Sequence, residues 1–241
     1  MIVYVNGDSY TKISDGKCYS DFLAEHFGCS SINAAISGSS NSRIFRTSLR
    51  DLIELKQTHE DIVAVISLTF PLRTELWDQD ITNNKFINDG EFVSIQTTRS
   101  KSWFYDKESV QPSQYQSYIN EWLRWYNIEA ETVNLLKEIL LLTTWCKHSK
   151  IKYVIVSGIL QEPVDLESPF IRSLYLKVSK DPDVIDIFSE SFTEWCLVRG
   201  HTPIDDFTQE IHGKTYIIGH HGEAAHKDFA KFLFENYLGT Q

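Results

Sequence analysis

Three short runs of apolar, mostly β-branched residues constrain the fold of this chain more than any other feature. They are Ile2–Val5, Asp61–Ile66 and Ile151–Val156, and each has the length of a buried strand rather than of a helix. Stretches with apolar residues at helical spacing separate them. Strands that alternate with helices favour a mostly parallel sheet covered by helices on both faces, so we predict a three-layer α/β/α sandwich.

The helical patterns are bounded by recognisable stop signals. Gly28 ends the first of them, and Gly200 follows another that has Pro182 near its start. A short second strand is expected at 31–35. We predict helices over residues 18–27, about 44–53, 119–146 (as one helix or two in tandem), 184–198 and 223–237.

Two stretches lack a sustained period. Residues 162–182 are expected to be irregular, as are residues 71–118, which carry several turn signals. We therefore predict a single domain over 1–241 with an aromatic-rich insertion at about 71–118. The tryptophan and tyrosine cluster at 77–126, which begins in this insertion and extends just past it, either packs the insertion onto the domain or forms a stacking platform for a sugar or an aromatic ligand. The tryptophans concerned are Trp77, Trp103, Trp122 and Trp125.

Composition excludes several classes of function. The formal net charge of −10 argues against a general binder of nucleic acid or anionic membranes. No apolar run approaches the ~20 residues of a membrane span, and the N-terminus lacks a secretion-signal pattern, so a cytoplasmic location is expected. The cysteines form no CxxC pair, which favours buried thiols in a reducing compartment. They are Cys18, Cys29, Cys146 and Cys196.

Small and polar residues follow three of the predicted strands, in the turns Gly7-Asp8-Ser9, Ser37-Gly38-Ser39 and Ser67-Leu68-Thr69. In a parallel sheet these turns share the edge where ligands bind. Near the C-terminus, His220 and His221 precede the last helix. A serine, turns with backbone N–H groups and an imidazole are the parts of acyl-transfer catalysis. The alternative is that Asp8 and Ser9 only cap the next helix.

In order and spacing, these motifs resemble those of the SGNH (GDSL-type) hydrolases and esterases. Gly7-Asp8-Ser9 is similar to the first block of that family, Gly38 to the glycine of the second, and His220 to the catalytic histidine. The resemblance implies a flavodoxin-like sheet, Ser9 as nucleophile and His220 as general base. It also implies an oxyanion hole made by Ser9 and Gly38 with Thr69 or Asn41, and no metal or organic cofactor.

Two positions depart from the family pattern. Thr69 stands where the third block has an oxyanion-binding asparagine, and Ile217 stands where an acid precedes the histidine. Asp205 and Asp206 lie upstream of that position. Asp8, Arg73, Glu75 and His221 are further candidates for the pocket, with Arg73 and Glu75 either lining it or pairing with each other. Arg43 and Arg46 are expected on a solvated helix face, unless they recognise an acidic substrate, and His226 is expected in the core or behind the site.

The leading hypothesis is a serine esterase that removes a small acyl group, such as acetyl, from a small-molecule or glycan ester through a Ser-His dyad. The alternative is a catalytically degenerate binding or structural protein with the same fold. A third hypothesis, a metal-dependent hydrolase, uses the carboxylate of Glu223 with nearby imidazoles. The sequence leaves the oligomeric state open. The histidines of the third hypothesis are His212, His220, His221 and His226.

Overall fold

A computed structural model of the chain describes residues 1–12, 16–70, 73–77, 88–89, 92–96, 121–122, 124–159, 166–204, 208–211, 214–217 and 219–239. The strands are β1 Ile2–Asn6, β2 Ser30–Asn33, β3 Ile62–Leu68, β4 Arg73–Trp77, β5 Asn88–Asp89, β6 Phe92–Gln96, β7 Lys152–Ser157, β8 Thr208–Ile211 and β9 Lys214–Ile217. The α-helices are α1 Tyr19–Phe27, α2 Asn41–Thr58, α3 Ile128–His148, α4 Pro169–Val178, α5 Phe192–Val198 and α6 Glu223–Leu233.

The central sheet contains four parallel strands in the order β2–β1–β3–β7. Ile2 of β1 faces Ser30 on one side and Ile62 on the other, so β1 lies inside the sheet. Beyond β7, Val184 forms a parallel bridge with Ile155. This is the strand order of a flavodoxin-like sheet, and it confirms the predicted fold class.

Each face of the sheet carries its own hydrophobic core. Along β1, Ile2 and Tyr4 point to one face while Val3 and Val5 point to the other, as the two-residue period of a strand requires. The first core packs against α2, α3 and α4, and the second against α1, α5 and α6. Because helices cover both faces, all five residues of β1 are buried.

Two predictions about helices are wrong. The helix expected over 184–198 begins only at Phe192, where the Ser191 hydroxyl accepts a hydrogen bond from the Glu194 N–H. Val184 instead joins the sheet. The stretch 162–182, expected to be irregular, contains α4, which begins at Pro169 because proline suits the first helical position.

The long helical pattern at 119–146 forms more than one piece. Asn127 caps the start of α3 by accepting hydrogen bonds from the N–H groups of Glu129 and Ala130. Residues 121–122 and 124–125, just before it, are helical as well. The tandem version of the prediction is therefore confirmed.

The stretch predicted as an irregular insertion contains regular structure. β4, β6 and β5 form an antiparallel sheet in that order, with Arg73 opposite Gln96. A second hairpin pairs β8 with β9. Trp103 lies outside the described residues, whereas Trp122 packs on Tyr126 with ring centroids 4.9 Å apart. The extent of the insertion stays a prediction.

The cysteines and helices agree with the compositional expectations where they are described. All four cysteines are free thiols, and only Cys29 is partly exposed. Among the helices in the described parts of the chain, none is long and apolar enough to cross a membrane.

Candidate active site

The turn after β1 is fixed by a buried amide. Asn6 ends the strand, and its side-chain Oδ1 accepts a hydrogen bond from the Gly7 N–H at 2.9 Å. Its Nδ2 donates to Thr47 Oγ1 and Ser48 Oγ of α2, at 2.8 and 2.9 Å. A Cβ on Gly7 would lie 2.1 Å from Thr11 Oγ1, so this position accepts only glycine. The turn that leads to Ser9 is therefore held against α2.

Asp8 caps the short 3-10 helix Ser9–Thr11. Its Oδ1 accepts a hydrogen bond from the Tyr10 N–H at 3.1 Å, and the residue is fully buried. Ser9, the first residue of that turn, is partly exposed. The capping role that the sequence offers as an alternative is thus present, and it leaves the Ser9 side chain at the C-terminal edge of the sheet.

A buried charge pair joins the turn after β1 to the start of β4. Asp8 Oδ2 accepts hydrogen bonds from Arg73 Nη1 at 2.7 Å and from Thr69 Oγ1 at 2.5 Å. Arg73 Nη1 also donates to Thr69 Oγ1 at 2.6 Å. The Asp8 side chain is 0% exposed and the Arg73 side chain is 7% exposed. Such charge-assisted bonds offset the desolvation of the two ions.

The second turn, around Gly38, meets the same arginine. Gly38 has φ +83°, a left-handed conformation that favours glycine. Ser39 closes the turn through its N–H, which donates to the Ile36 carbonyl at 3.1 Å. Arg73 Nη1 donates to the Ser39 carbonyl at 3.3 Å, and Arg43 Nη1 to Ser39 Oγ at 3.1 Å. Gly38 itself is buried, and both guanidinium groups bind the residue that follows it.

The side-chain amide of Asn41 binds the backbone of Thr69 in both directions. Asn41 Oδ1 accepts from the Thr69 N–H at 2.8 Å, and its Nδ2 donates to the Thr69 carbonyl at 3.0 Å. The Thr69 hydroxyl donates to Asp8, so both donors of Thr69, its N–H and its hydroxyl, already have acceptors within the protein. Asn41 retains a second amide hydrogen.

His220 lies against the residue that follows Ser9. Its imidazole stacks on the ring of Tyr10, with centroids 5.0 Å apart and planes inclined by 29°. The His220 carbonyl accepts from the Ile204 N–H at 2.8 Å, and Pro203 bridges to His221. The loop before α6 is thereby held beside the turn after β1.

His221 and His226 belong to the core rather than to the open edge. Each is 1% exposed, and each packs on the ring of Phe192. His226 Nδ1 accepts a hydrogen bond from the Tyr19 N–H at 3.3 Å. Burial, followed by the neighbouring His221, lowers the pKa of His226 to about 4, which keeps the imidazole neutral near pH 7. The core position predicted for His226 is confirmed.

The alternative in which Arg73 pairs with Glu75 is not observed, and the solvated face expected for Arg43 and Arg46 is wrong. Glu75 pairs with Arg46 of α2 through two hydrogen bonds, of 2.7 and 3.2 Å, and not with Arg73. Arg43 is only 4% exposed, and the Arg46 side chain 30%. The face of α2 expected in solvent is covered because β4 packs over it.

A cleft beside these turns has a volume of about 450 Å³, including space open to solvent. We call it the polar cleft. Burial raises the pKa of Glu138 to about 7, with Glu131 and Glu75 adding to the rise. Asn41 and Arg73 connect the cleft to the third turn. The polar cleft is lined by Asn41, Ser42, Arg73, Ile128, Glu131, Thr132, Asn134, Leu135, Glu138 and Phe188.

The described residues bear on the metal hypothesis but not on the upstream candidates for a triad acid. Within the described ranges, no group of three or more His, Cys, Asp or Glu side chains is arranged to hold a metal ion. His212 lies outside those ranges, and so do Asp205 and Asp206, the upstream candidates for a triad acid. Ile217, at the position of the family acid, ends strand β9.

The site combines a serine at a strand end, a histidine stacked on the tyrosine that follows the serine, and three turns that contact one buried arginine, on an α/β/α sandwich. This is the fold and the order of parts that the SGNH resemblance implies. No known protein-family model matches the sequence, and no curated protein matches it.

Solved structures do match over nearly the whole chain. TesA is 14% identical, with 98% of this chain and 97% of that chain covered and a TM-score of 0.47. A catalytic mutant of the acetylxylan esterase Axe2 from Geobacillus stearothermophilus is 11% identical, with 100% and 94% covered and a TM-score of 0.47. A protein from Desulfitobacterium hafniense, assigned to the lipolytic G-D-S-L family, is 10% identical, with 97% and 98% covered and a TM-score of 0.42. Because these TM-scores are below 0.5, the fold class rests on the strand order and the two helical layers.

Proposed function

We propose that this protein is a serine ester hydrolase in which Ser9 is the nucleophile and His220 the general base. One observation carries the proposal. The stacking of Tyr10 on His220 brings the imidazole against the turn whose first residue is the partly exposed Ser9. A serine with an imidazole beside it at the C-terminal edge of a parallel sheet suits acyl transfer.

The proposed reaction follows the usual two steps. His220 takes the proton of Ser9 Oγ as the oxygen attacks the ester carbonyl, and the N–H groups of Ser9 and Gly38 stabilise the oxyanion. Since both donors of Thr69 have acceptors already, we assign the third donor to the second amide hydrogen of Asn41. His220 then protonates the leaving alcohol, and water hydrolyses the acyl-serine by the reverse sequence. This chemistry requires no cofactor.

The polar cleft adjoins the site at Asn41 and Arg73 but is not lined by Ser9 or His220. We propose that it receives the alcohol part of the ester, which favours a small acyl group on a hydroxyl-bearing alcohol, such as an acetylated carbohydrate. Seven of its ten lining side chains are polar or charged, including Arg73, Glu131 and Glu138. Carboxyl and guanidinium groups hydrogen-bond to hydroxyls, whereas a long acyl chain needs an apolar lining. We expect p-nitrophenyl acetate to be hydrolysed faster than p-nitrophenyl octanoate.

Covalent labelling tests the nucleophile directly. A fluorophosphonate probe should label the wild type and Ser179→Ala, which changes an exposed serine at the C-terminal end of α4, but should not label Ser9→Ala. His220→Ala should slow both labelling and turnover by about 10²–10⁴-fold, the usual contribution of a general base. A wild type that is folded, takes no label and turns over no p-nitrophenyl acetate between about pH 6 and 9 would sink the esterase proposal.

A second candidate is a non-catalytic binding or structural protein with this fold. The engagement of both Thr69 donors within the protein favours it, because an oxyanion hole then has fewer donors. This candidate predicts that an acetylated oligosaccharide binds with equal affinity to wild type and Ser9→Ala, without hydrolysis. Release of acetate by the wild type alone would exclude it.

A further inference from the structure

We infer that Arg73 is a positioning residue of the candidate site, which holds together the three turns that carry the reacting groups. The inference rests on the proposed function and adds to it a residue that acts on the reacting groups through the three turns rather than on the ester bond itself. It begins from one atom: Arg73 Nη1 lies within hydrogen-bond distance of acceptors in all three turns. The acceptors are Thr69 Oγ1 at 2.6 Å, Asp8 Oδ2 at 2.7 Å and the Ser39 carbonyl at 3.3 Å.

Two of the acceptors belong to residues adjacent in sequence to a proposed catalytic group, and the third belongs to Thr69, which is hydrogen-bonded to Asn41. Asp8 precedes Ser9, and its other oxygen caps the turn through the Tyr10 N–H. Ser39 follows Gly38, the proposed oxyanion donor. Arg73 therefore sets the distance between the Ser9 turn and the Gly38 turn, and a misplacement of about 1 Å between reacting groups can cost about 10²-fold in rate.

The third turn is tied to the first by the same group. Thr69 stands where the SGNH resemblance leads one to expect an oxyanion-binding asparagine. Its hydroxyl donates to Asp8 and accepts from Arg73, so it closes a triangle of hydrogen bonds. The residue at this position thus links two turns through their side chains.

Arg73 also controls the charge next to the nucleophile. The Asp8 carboxylate is fully buried one residue before Ser9, where it opposes the negative charge that develops on the oxyanion. The guanidinium at 2.7 Å neutralises it. Lysine preserves the charge but, as a compact ammonium without a planar fork, does not reproduce the geometry of the arginine.

The chain offers a matched control for a test of this role. Arg46 also forms a partly buried ion pair that involves β4, with Glu75, but it contacts none of the three turns through the bonds described above. We expect Arg73→Lys to lower kcat for p-nitrophenyl acetate by about 10²-fold with KM within about threefold. Arg46→Lys should leave both constants within about twofold. Amide hydrogen exchange should accelerate at Ser9–Thr11 and at Gly38 in Arg73→Lys only, while the amides of β3 keep their protection.

The outcomes separate this inference from the proposed function. An inactive, unlabelled wild type would overturn the proposed function. An active wild type with Arg73→Lys at half its kcat or more would overturn the positioning role alone, as would equal losses in Arg73→Lys and Arg46→Lys. If Arg73→Lys does not fold, Asp8→Asn combined with Arg73→Gln removes both charges together. That double variant should fold and show the same loss of kcat, and full activity in it would contradict the inference.

Discussion

The ring of Tyr10 and the imidazole of His220 are stacked, with centroids 5.0 Å apart and planes inclined by 29°. Tyr10 is 6% exposed, and its ring also contacts the ring of Phe70 edge-on, with the centroids 6.4 Å apart. A ring this confined fixes the imidazole plane relative to the turn that starts at Ser9. In the mechanism that we propose, the stack takes over part of the orientation that a triad acid gives to its histidine.

Removing the stack should harm catalysis more than stability. In Tyr10→Leu the imidazole loses the surface that orients it, so we expect kcat about tenfold below that of Tyr10→Phe, which keeps the ring. Steady-state kinetics gives the ratio, and thermal unfolding shows whether both variants remain folded at the assay temperature. Equal kcat values in the two variants would show that the stack with Tyr10 does not orient the His220 imidazole.

His226 should make the protein acid-sensitive. Its pKa is lowered to about 4 in the folded state, so between pH 6.5 and about 4 the unfolded chain binds a proton that the folded chain does not. Stability should fall over that window, by on the order of 3 kcal/mol, and level off below it. Urea unfolding across this pH range measures the loss. His226→Gln should flatten the slope, while the same change at the exposed His148 should leave it intact.

Glu138 should have the opposite pH dependence. Burial raises its pKa from 4.5 to about 7, so the folded state holds a proton that the unfolded state releases as the pH rises through this window. The stabilisation present below about pH 4.5 is lost by about pH 7. Glu138→Gln should therefore raise the free energy of unfolding by about 1–2 kcal/mol at about pH 8 and change it little in acid. Glu54→Gln, on an exposed face of α2, is the control.

The amide of Asn41 should be intolerant of conversion to a carboxylate. Asn41→Asp places an oxygen opposite the Thr69 carbonyl, where Nδ2 now donates at 3.0 Å. One buried hydrogen bond becomes a repulsion, so we expect a loss of about 1–3 kcal/mol in the free energy of unfolding and a lower kcat. Asn236→Asp, which breaks an exposed bond to the Phe232 carbonyl, should cost far less. Equal unfolding midpoints for the two variants would contradict the prediction.

The sheet and its turns were predictable because their signals are local. β1, β3 and β7 are short runs of buried residues, and their alternation with helices predicts a parallel sheet. The flavodoxin-like strand order was implied by the SGNH resemblance. Val184 has no such local signal, since its place is set by a bridge to Ile155, 29 positions away in the chain. Helical periodicity alone therefore extended α5 too far toward the N-terminus.

The charge pairings of the site were not predictable, for a related reason. The sequence contains Arg43, Arg46, Arg73 and Glu75, but their partners depend on how β4 packs over α2. On this face, which has the composition of a solvated one, Arg43 is buried and Arg46 is partly buried. A long polar side chain gives no sign of its partner until the surrounding elements are in place.

The ion pair between Asp8 and Arg73 also sets an order of events during synthesis. Among the strands of the central sheet, β1 leaves the ribosome first, yet it needs β2 and β3 as its two neighbours. The charge of Asp8 can be buried only when the guanidinium of Arg73, 65 positions further along the chain, is available to pair with it. The Ser9 turn therefore takes its final form only after the residues of β4 have emerged from the ribosome. A ribosome pause before Arg73 would leave the candidate site of the nascent chain exposed to water.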